Sequence, residues 1–171
     1  IFRNGRGGAA HGPIPAGIFG AAESYNPFVY DALDKRKDIS KAKDLMVQAG
    51  YAKGVDPTTN KPLVLYFDTT ASSAEDQPRL DWIRKQFKKI GIQLVIRSSS
   101  YNRLQDKMSK GQTQLFELGW NADYPDPENF LFLLYGKNSK VETGGENGAN
   151  YQNNEYDKLF EQMKNMPNSA E

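Results

Sequence analysis

The sequence of 171 residues contains no cysteine and a single histidine, His11. The lack of cysteine excludes a thiol nucleophile, a disulfide framework and zinc–thiolate sites. One histidine supplies neither a two-histidine metal site nor, from its own segment, a Ser–His triad, and we expect His11 to be a surface loop residue. A domain of this length buries about 70% of the surface that its unfolded chain exposes, so it needs no crosslinks to hold a core. We therefore predict neither a metal site nor a cofactor.

An excess of one charge and long apolar runs are also missing. The 22 Lys and Arg residues nearly balance the 21 Asp and Glu residues, which leaves a formal net charge of +1. A nucleic-acid-binding protein would show a concentrated basic excess, so we predict that nucleic acid is not a partner. The longest apolar run, Phe130 to Tyr135, has six residues, whereas a membrane-spanning helix needs about 20.

Glycine and proline interrupt residues 1–30 every few positions, which predicts a loop segment. Residues 38–165 instead show the periodic patterns of an α/β core. The chain opens at Ile1 without a leader and closes directly after a helical pattern. We therefore expect a processed chain or a fragment.

Hydrophobic periodicity predicts helices that alternate with strands. The predicted helices span 39–49, between a cap at Asp38 and a terminator at Gly50, then 76–90 and 102–110; the predicted strands span 63–67, 92–97 and 114–120. Strands and helices joined by tight connections favour an open parallel or mixed sheet with flanking helices, an α/β fold. Ligands bind beyond the carboxyl ends of the strands in such sheets. We therefore expect the functional site in the segment after Leu118.

That segment combines acidic and aromatic side chains: Trp120, Asp123, Tyr124, Asp126 and Glu128. Asp126 directly before Pro127 predicts a helix start, and Glu128 in the first turn gains from the helix dipole. Both acids therefore have structural explanations. Asp123 lies too far from this helix start to cap it.

Two interpretations of Asp123 are open. A carboxylate between aromatic rings suits pairing with a ligand cation such as an ammonium group, and Trp120 would supply a flat apolar wall or a cation–π face. In the alternative, Trp120 belongs to the core and Asp123 pairs with a nearby Lys or Arg.

Two further function classes use the same acids. An enzyme could use Asp123, Asp126 or Glu128 as an acid–base pair, for example on a glycoside, although two of these acids already have helix-start roles. A calcium site is disfavoured because prolines at 125 and 127 interrupt the alternating spacing of oxygen ligands.

Six stretches, in this order, resemble the C-terminal lobe of the extracytoplasmic solute-binding proteins of the oligopeptide/dipeptide class, which are receptors of ABC importers. They are GPIPAGIFG (12–20), DISKAKDLMVQAGY (38–51), KPLVLYF (61–67), IRKQFKKIGIQLVI (83–96), GWNADYPDPENF (119–130) and NNEYDKLFEQM (153–163). The resemblance covers nearly the whole chain.

This resemblance implies one lobe of a type II periplasmic-binding-protein fold, in a receptor that closes on its ligand. Residues 1–171 would form a single, partial C-terminal lobe, whose partner is the missing N-terminal lobe. The implied outside partners are a peptide or other small solute and a membrane ABC permease. The implied location is periplasmic or otherwise extracytoplasmic, with or without a lipid anchor, and the implied activity is binding rather than catalysis.

The resemblance also implies roles for residues. In peptide-binding members the aspartate that follows Gly-Trp-x-x pairs with the α-amino group of the peptide, which carries over to Asp123. Trp120 and the backbone of Asn121 and Ala122 would line the pocket, and Tyr124 completes the candidate site. Members with nearly the same motif take up other solutes, so a receptor for a non-peptide solute is the alternative.

A last helix is predicted after the loop at 144–150, with Asn153 or Asn154 as its cap. Its apolar side chains are Tyr156, Leu159, Phe160 and Met163. This face needs a partner, so we expect the chain alone to expose apolar surface or to pair with a second copy.

Overall fold

Six α-helices and a three-stranded sheet form the regular structure of the residues that the computed structural model describes, which are 10–21, 26 and 39–167. The helices are α1 (Ile39–Gln48), α2 (Gln77–Lys89), α3 (Tyr101–Ser109), α4 (Glu128–Leu131), α5 (Lys140–Thr143) and α6 (Asn154–Lys164). The strands are β1 (Val64–Thr69), β2 (Gln93–Ser98) and β3 (Leu115–Phe116). Short 3₁₀ turns occur at Ala52–Gly54, Phe132–Leu134 and Gly136–Asn138.

The sheet is parallel and has the order β2–β1–β3. β1 and β2 pair along their full lengths, from Val64 opposite Gln93 to Thr69 opposite Ser98. Helices α2 and α3 follow β1 and β2 in turn. The predicted α/β class with a parallel sheet and flanking helices is confirmed.

The third strand is shorter than predicted: it covers Leu115–Phe116 instead of 114–120. In its pairing with β1, Phe67 lies opposite Leu115 and Asp68 opposite Phe116. Because β1 ends one residue later, at Thr69, residues beyond 117 have no β1 residue opposite them. The prediction of a strand as far as 120 is therefore wrong, and the segment after 117 is irregular.

The other predicted elements agree with the structure to within one or two residues. Helix α1 ends before Gly50, which has a φ of 86°, and Pro78 lies in the first turn of α2. The predicted cap at Asp38 lies outside the described residues. Within the segment 1–30, residues 10–21 contain turns and bends without a helix or strand, and His11 is half-buried among them.

The described residues fall into two compact units, one drawn from 39–105 and 113–118 and the other from 10–21, 26, 106–112 and 119–167. None of their helices has both the length and the apolar character that a bilayer span requires.

An apolar cluster holds the first unit together. Phe67 of β1, Leu80 of α2 and Leu94 of β2 are buried against one another, and burial of each such side chain is worth about 1.5–3 kcal/mol. The partly buried side chains around them are Leu65, Ala71, Ile83, Phe87, Ile96 and Leu115.

Two backbones meet at a pair of glycines at the start of the sheet. A Cβ at Gly54 would lie 2.0 Å from the Gly91 carbonyl oxygen, and a Cβ at Gly91 would lie 2.7 Å from the Gly54 nitrogen. Both residues also have positive φ, 72° and 87°. Only glycine satisfies both requirements at these positions.

Two carboxylates of the first unit, those of Asp68 and Glu117, are matched by arginines. The fully buried Asp68 pairs with Arg97 of the neighbouring strand. Glu117 accepts two hydrogen bonds from the Arg79 guanidinium, at 2.7 and 2.8 Å, and a third from the Thr69 hydroxyl. These hydrogen bonds, above all those from Arg79, lower the pKa of Glu117 below its ordinary value.

Buried polar side chains organise the second unit. Asn147 is fully buried; its Nδ2 donates to the Tyr135 and Tyr151 carbonyls, and its Oδ1 accepts from the Tyr151 N–H. Ser139 caps α5, with Oγ accepting from the Glu142 N–H. Outside its short helices, the segment 135–151 therefore depends on side-chain hydrogen bonds rather than on the backbone hydrogen bonds of a helix or sheet.

Helix α6 begins as predicted, because the Asn153 side chain caps it by accepting from the Tyr156 N–H at 2.9 Å. Its predicted apolar face is only partly covered. Phe160 is buried against the Tyr135 ring, with the centroids 4.6 Å apart, whereas Leu159 is 59% exposed. The expected pairing with a second copy stays a prediction.

Candidate functional site

The residues singled out by sequence lie in the irregular segment between β3 and α4, which belongs to the second unit. Trp120 is half-buried, whereas Asn121, Ala122, Asp123 and Tyr124 are exposed. The site is thus a surface loop in which one large ring is anchored and the residues after it face outward.

Asn129 at the start of α4 fixes the shape of this loop. Its side chain is buried, and its Oδ1 accepts two hydrogen bonds, one from the Trp120 indole Nε1 at 2.9 Å and one from the Asp123 N–H at 3.2 Å. A buried amide that satisfies two donors from the same loop costs little to bury and holds both donors in place. The orientation of the indole and the position of Asp123 therefore depend on one side chain.

The indole of Trp120 also packs against an aromatic partner. The Phe132 ring approaches it edge-on, with the centroids 5.2 Å apart and the planes at 67°. Edge-to-face pairs of this kind are worth about 0.5–1.5 kcal/mol beyond the area that they bury. This packing leaves Trp120 half-buried, so part of the residue stays accessible.

Asp126 has a role at the start of α4, and Glu128 lies in the first turn of that helix, as predicted. The Asp126 Oδ1 accepts from the Glu128 N–H at 2.8 Å, directly before the first turn of α4. The Glu128 carboxylate accepts a hydrogen bond from the Tyr124 hydroxyl, which raises the pKa of Tyr124. Both acids are therefore engaged within the loop, and Tyr124 is turned toward Glu128.

Asp123 differs from its acidic neighbours. Its backbone is held by Asn129, but among the residues that the structure describes its carboxylate has no hydrogen-bond or ion-pair partner. It is also exposed. A fixed backbone with an open carboxylate is suited to a charged guest, because little conformational freedom is left to lose on binding.

The same loop does not assemble a metal-ligand set. Within the described residues, no three His, Cys, Asp or Glu side chains are grouped so that they could hold a metal ion. The Asp126 and Glu128 carboxylates each already accept a bond from a group within their own loop. They do not form a free acid–base pair beside Asp123.

Sequence reasoning missed the organising role of Asn129. The residue follows two helix-start acids and carries no signal of its own, because an asparagine in a first helical turn is ordinarily solvent-exposed. The only available hint is the composition of the segment: a tryptophan N–H that becomes buried usually finds an acceptor nearby.

The chain is similar in sequence to curated binding proteins. The chain is 26% identical over 168 residues to heme-binding protein A of Haemophilus influenzae, an alignment that covers 98% of the chain and 28% of the relative. It is 27% identical over 173 residues to di/tripeptide-binding protein 4 of Pseudomonas aeruginosa, covering 100% of the chain and 30% of that relative. The chain therefore spans less than a third of the length of these curated relatives.

A solved structure shows the same fold. The ABC transporter-associated periplasmic binding protein DppA of Helicobacter pylori, in complex with the peptide STSA, superposes with a TM-score of 0.70 at 27% identity. The superposition covers 88% of this chain and 26% of that chain. The solved neighbours are type II periplasmic binding proteins, which confirms the fold expected from the resemblance.

The family follows from a match that extends over most of the sequence. The model of the bacterial extracellular solute-binding proteins, family 5, middle region, matches residues 1–142. The two relatives and the solved structure described above are all named as binding proteins. The chain belongs to family 5 of the bacterial extracellular solute-binding proteins.

Proposed function

We propose that the chain is part of the extracytoplasmic receptor of an ABC importer, and that this receptor captures a peptide or a similar amine-bearing solute. In this proposal residues 1–171 form a partial C-terminal lobe, and the rest of the receptor supplies the opposite lobe. The full receptor, free or lipid-anchored, would deliver the solute to a membrane permease. The relatives named for peptides and the neighbour bound to the peptide STSA support this class of ligand.

The single observation that carries the proposal is the open carboxylate of Asp123. An ammonium group that leaves water on binding needs a negative partner, and a charge-assisted hydrogen bond is about twice as strong as a neutral one. Among the described acids of the site loop, Asp126 and Glu128 are already engaged. Asp123 is the acid of this loop whose charge remains available in the described structure.

Trp120 and the backbone of Asn121 and Ala122 have supporting roles in this proposal. The accessible part of the indole would form an apolar wall beside the ammonium, and the neighbouring peptide groups would offer hydrogen bonds to an extended ligand. Tyr124, which faces Glu128, would line the rim rather than contact the cation.

The test measures binding of short peptides to the full-length receptor that contains this chain. We expect Asp123→Asn to reduce the binding free energy by about 2–5 kcal/mol, because the ligand cation would be buried without its partner. Acetylation of the peptide amino terminus should weaken binding to the wild type and leave binding to Asp123→Asn almost unchanged. The control is Asp44→Asn, which removes the charge of an exposed aspartate on α1.

Equal affinity for free and acetylated peptides would refute the role of Asp123. A second candidate, a receptor for a non-peptide solute, is favoured by the relative named heme-binding protein A. Mass spectrometry of a small molecule that copurifies with the receptor distinguishes the two ligand classes.

A further inference from the structure

A groove runs along the outer edge of the sheet in the first unit, where none of the proposed solute-contacting residues lies. It has a volume of about 650 Å³ and is lined by Arg84 and Lys88 of α2 and by residues 91–96, which lead into and include most of β2. Its floor is apolar, since Ile92 and Leu94 are buried and Ile96 is half-buried.

The backbone of β2 is open on the groove side. Among the described residues β2 has one strand neighbour, β1. The Gln93 and Ser99 N–H groups donate to the carbonyls of Leu63, just before β1, and of Thr69 at its end. Because N–H groups alternate in direction along a strand, those of Leu94 and Ile96 point away from β1. The groove therefore presents main-chain donors and acceptors as well as an apolar floor.

The rim of the groove is positively charged. Helix α2 carries five cationic side chains against one carboxylate, Asp81. Arg84 forms an ion pair with Asp81 at 2.6 Å. The Lys88 ammonium has no ion-pair partner in the described part of the chain. An occupant that brings carboxylates would therefore meet an unneutralised cation at this position.

A second copy of the chain is a poor occupant on the same evidence. Two β2 edges paired about a twofold axis would bring Arg84 and Lys88 of both copies together, and cationic side chains on an edge strand ordinarily prevent such pairing. The β2 edge therefore disfavours pairing with a second copy. Because Lys88 has no ion-pair partner in the described residues, the edge favours a partner with negatively charged side chains.

We propose that the free edge of β2 binds an extended acidic segment of another polypeptide as an added strand. The segment would pair its backbone with the outward groups of Leu94 and Ile96 and place alternate apolar side chains on the groove floor. Its Asp or Glu side chains would lie against Lys88. Strand addition of this kind takes affinity from main-chain hydrogen bonds and specificity from alternate side chains.

The experiment titrates the full-length receptor that contains this chain with a seven-residue peptide of alternating valine and glutamate, acetylated and amidated at its ends. Acetylation removes the ammonium group, so the site at Asp123 does not contribute and the two proposals fail independently. We expect the amide resonances of Leu94 and Ile96 to shift on binding. A valine–lysine peptide of the same length should bind about tenfold more weakly at low salt.

Charge reversal at two positions of α2 distinguishes a contact in the groove from nonspecific electrostatic attraction between the peptide and the helix. We expect Lys88→Glu to weaken binding of the glutamate peptide about fivefold and to strengthen binding of the lysine peptide. Lys85→Glu is the matched control, since Lys85 is an exposed lysine on the same helix that does not line the groove. Circular dichroism establishes that both variants are folded.

A valine–glutamate peptide with N-methylated backbone nitrogens tests the added strand itself. It keeps the charges but loses the main-chain donors, so we expect its binding to disappear. Three results would overturn the proposal: binding by the N-methylated peptide, equal effects of Lys85→Glu and Lys88→Glu, or unshifted Leu94 and Ile96 resonances at millimolar peptide.

Discussion

Both units bury apolar side chains, and they differ in the polar side chains that they bury. In the first, apolar side chains from β1, α2 and β2 form one cluster, and the buried carboxylate of Asp68 is matched by Arg97. In the second, buried Asn129, Ser139 and Asn147 bind backbone and side-chain groups of irregular loops. Regular elements satisfy their own peptide groups, so their cores can be apolar. Buried irregular segments need side-chain amides and hydroxyls to form hydrogen bonds with their peptide groups.

The largest expected effect on stability comes from a substitution in the apolar cluster of the first unit. Leu80 is 2% exposed within the cluster of the first unit, so Leu80→Ala leaves a cavity and should lower the free energy of unfolding by about 2–5 kcal/mol. Urea denaturation measures the change. Leu45→Ala on α1 is the control, because Leu45 is 52% exposed and should change stability by less than about 0.5 kcal/mol. Equal losses would mean that the cluster is not the core.

An intermediate effect is expected on the polar side. Asn147→Ala removes three hydrogen bonds and leaves the Tyr135 carbonyl and the Tyr151 peptide groups without this partner. We expect a loss of about 2 kcal/mol, measured in the same way, together with faster amide exchange in residues 136–151. Asn121→Ala is the control, since the Asn121 side chain is exposed. A loss no larger than that of the control would show that the loop does not depend on this amide.

The smallest effect concerns the ion pair between Arg79 of α2 and Glu117, the residue after β3. Because the Arg79 hydrogen bonds lower the pKa of Glu117 in the folded state, its contribution to stability is present above its ordinary pKa of 4.5 and is lost as pH falls through the lowered value. Glu117→Gln should therefore flatten the acid side of the profile of stability against pH and leave the neutral side almost parallel to the wild type. Glu75→Gln, at an exposed position, is the control. An unchanged acid limb would contradict the assignment.

The elements of the first unit could be predicted from sequence because their signals are local. Apolar residues recur at helical spacing in α2, and a β-rich run marks β1. The end of β3 could not be predicted, because it is set by where β1 stops. The residue pattern of 114–120 indicates a strand, but it does not show how far the neighbouring strand extends to pair with it.

The second unit was predicted less completely. The cap of α6 at Asn153 and the helix-start role of Asp126 follow from short-range chemistry. Helix α5 was missed, although Ser139 followed three residues later by Glu142 is a capping signature. The contacts of Asn147 join residues up to twelve positions apart along a loop, and no periodic signal records such contacts.

The candidate site also has features that could be predicted from sequence and features that could not. Its residues could be identified from their types and order, whereas the hydrogen bonds from Trp120 and Asp123 to Asn129 could not, because they join residues six to nine positions apart. The role of Asp123 as the partner of an ammonium group stays a prediction until the titrations are done.

One oxygen atom, the Asn129 Oδ1, anchors both the Trp120 ring and the main chain of Asp123. The position of the indole and that of the Asp123 backbone therefore depend on the same acceptor atom. If these residues contact a ligand as proposed, we expect a ligand that displaces the indole to move the Asp123 backbone as well, so that the width of the ligand affects binding in addition to its charge.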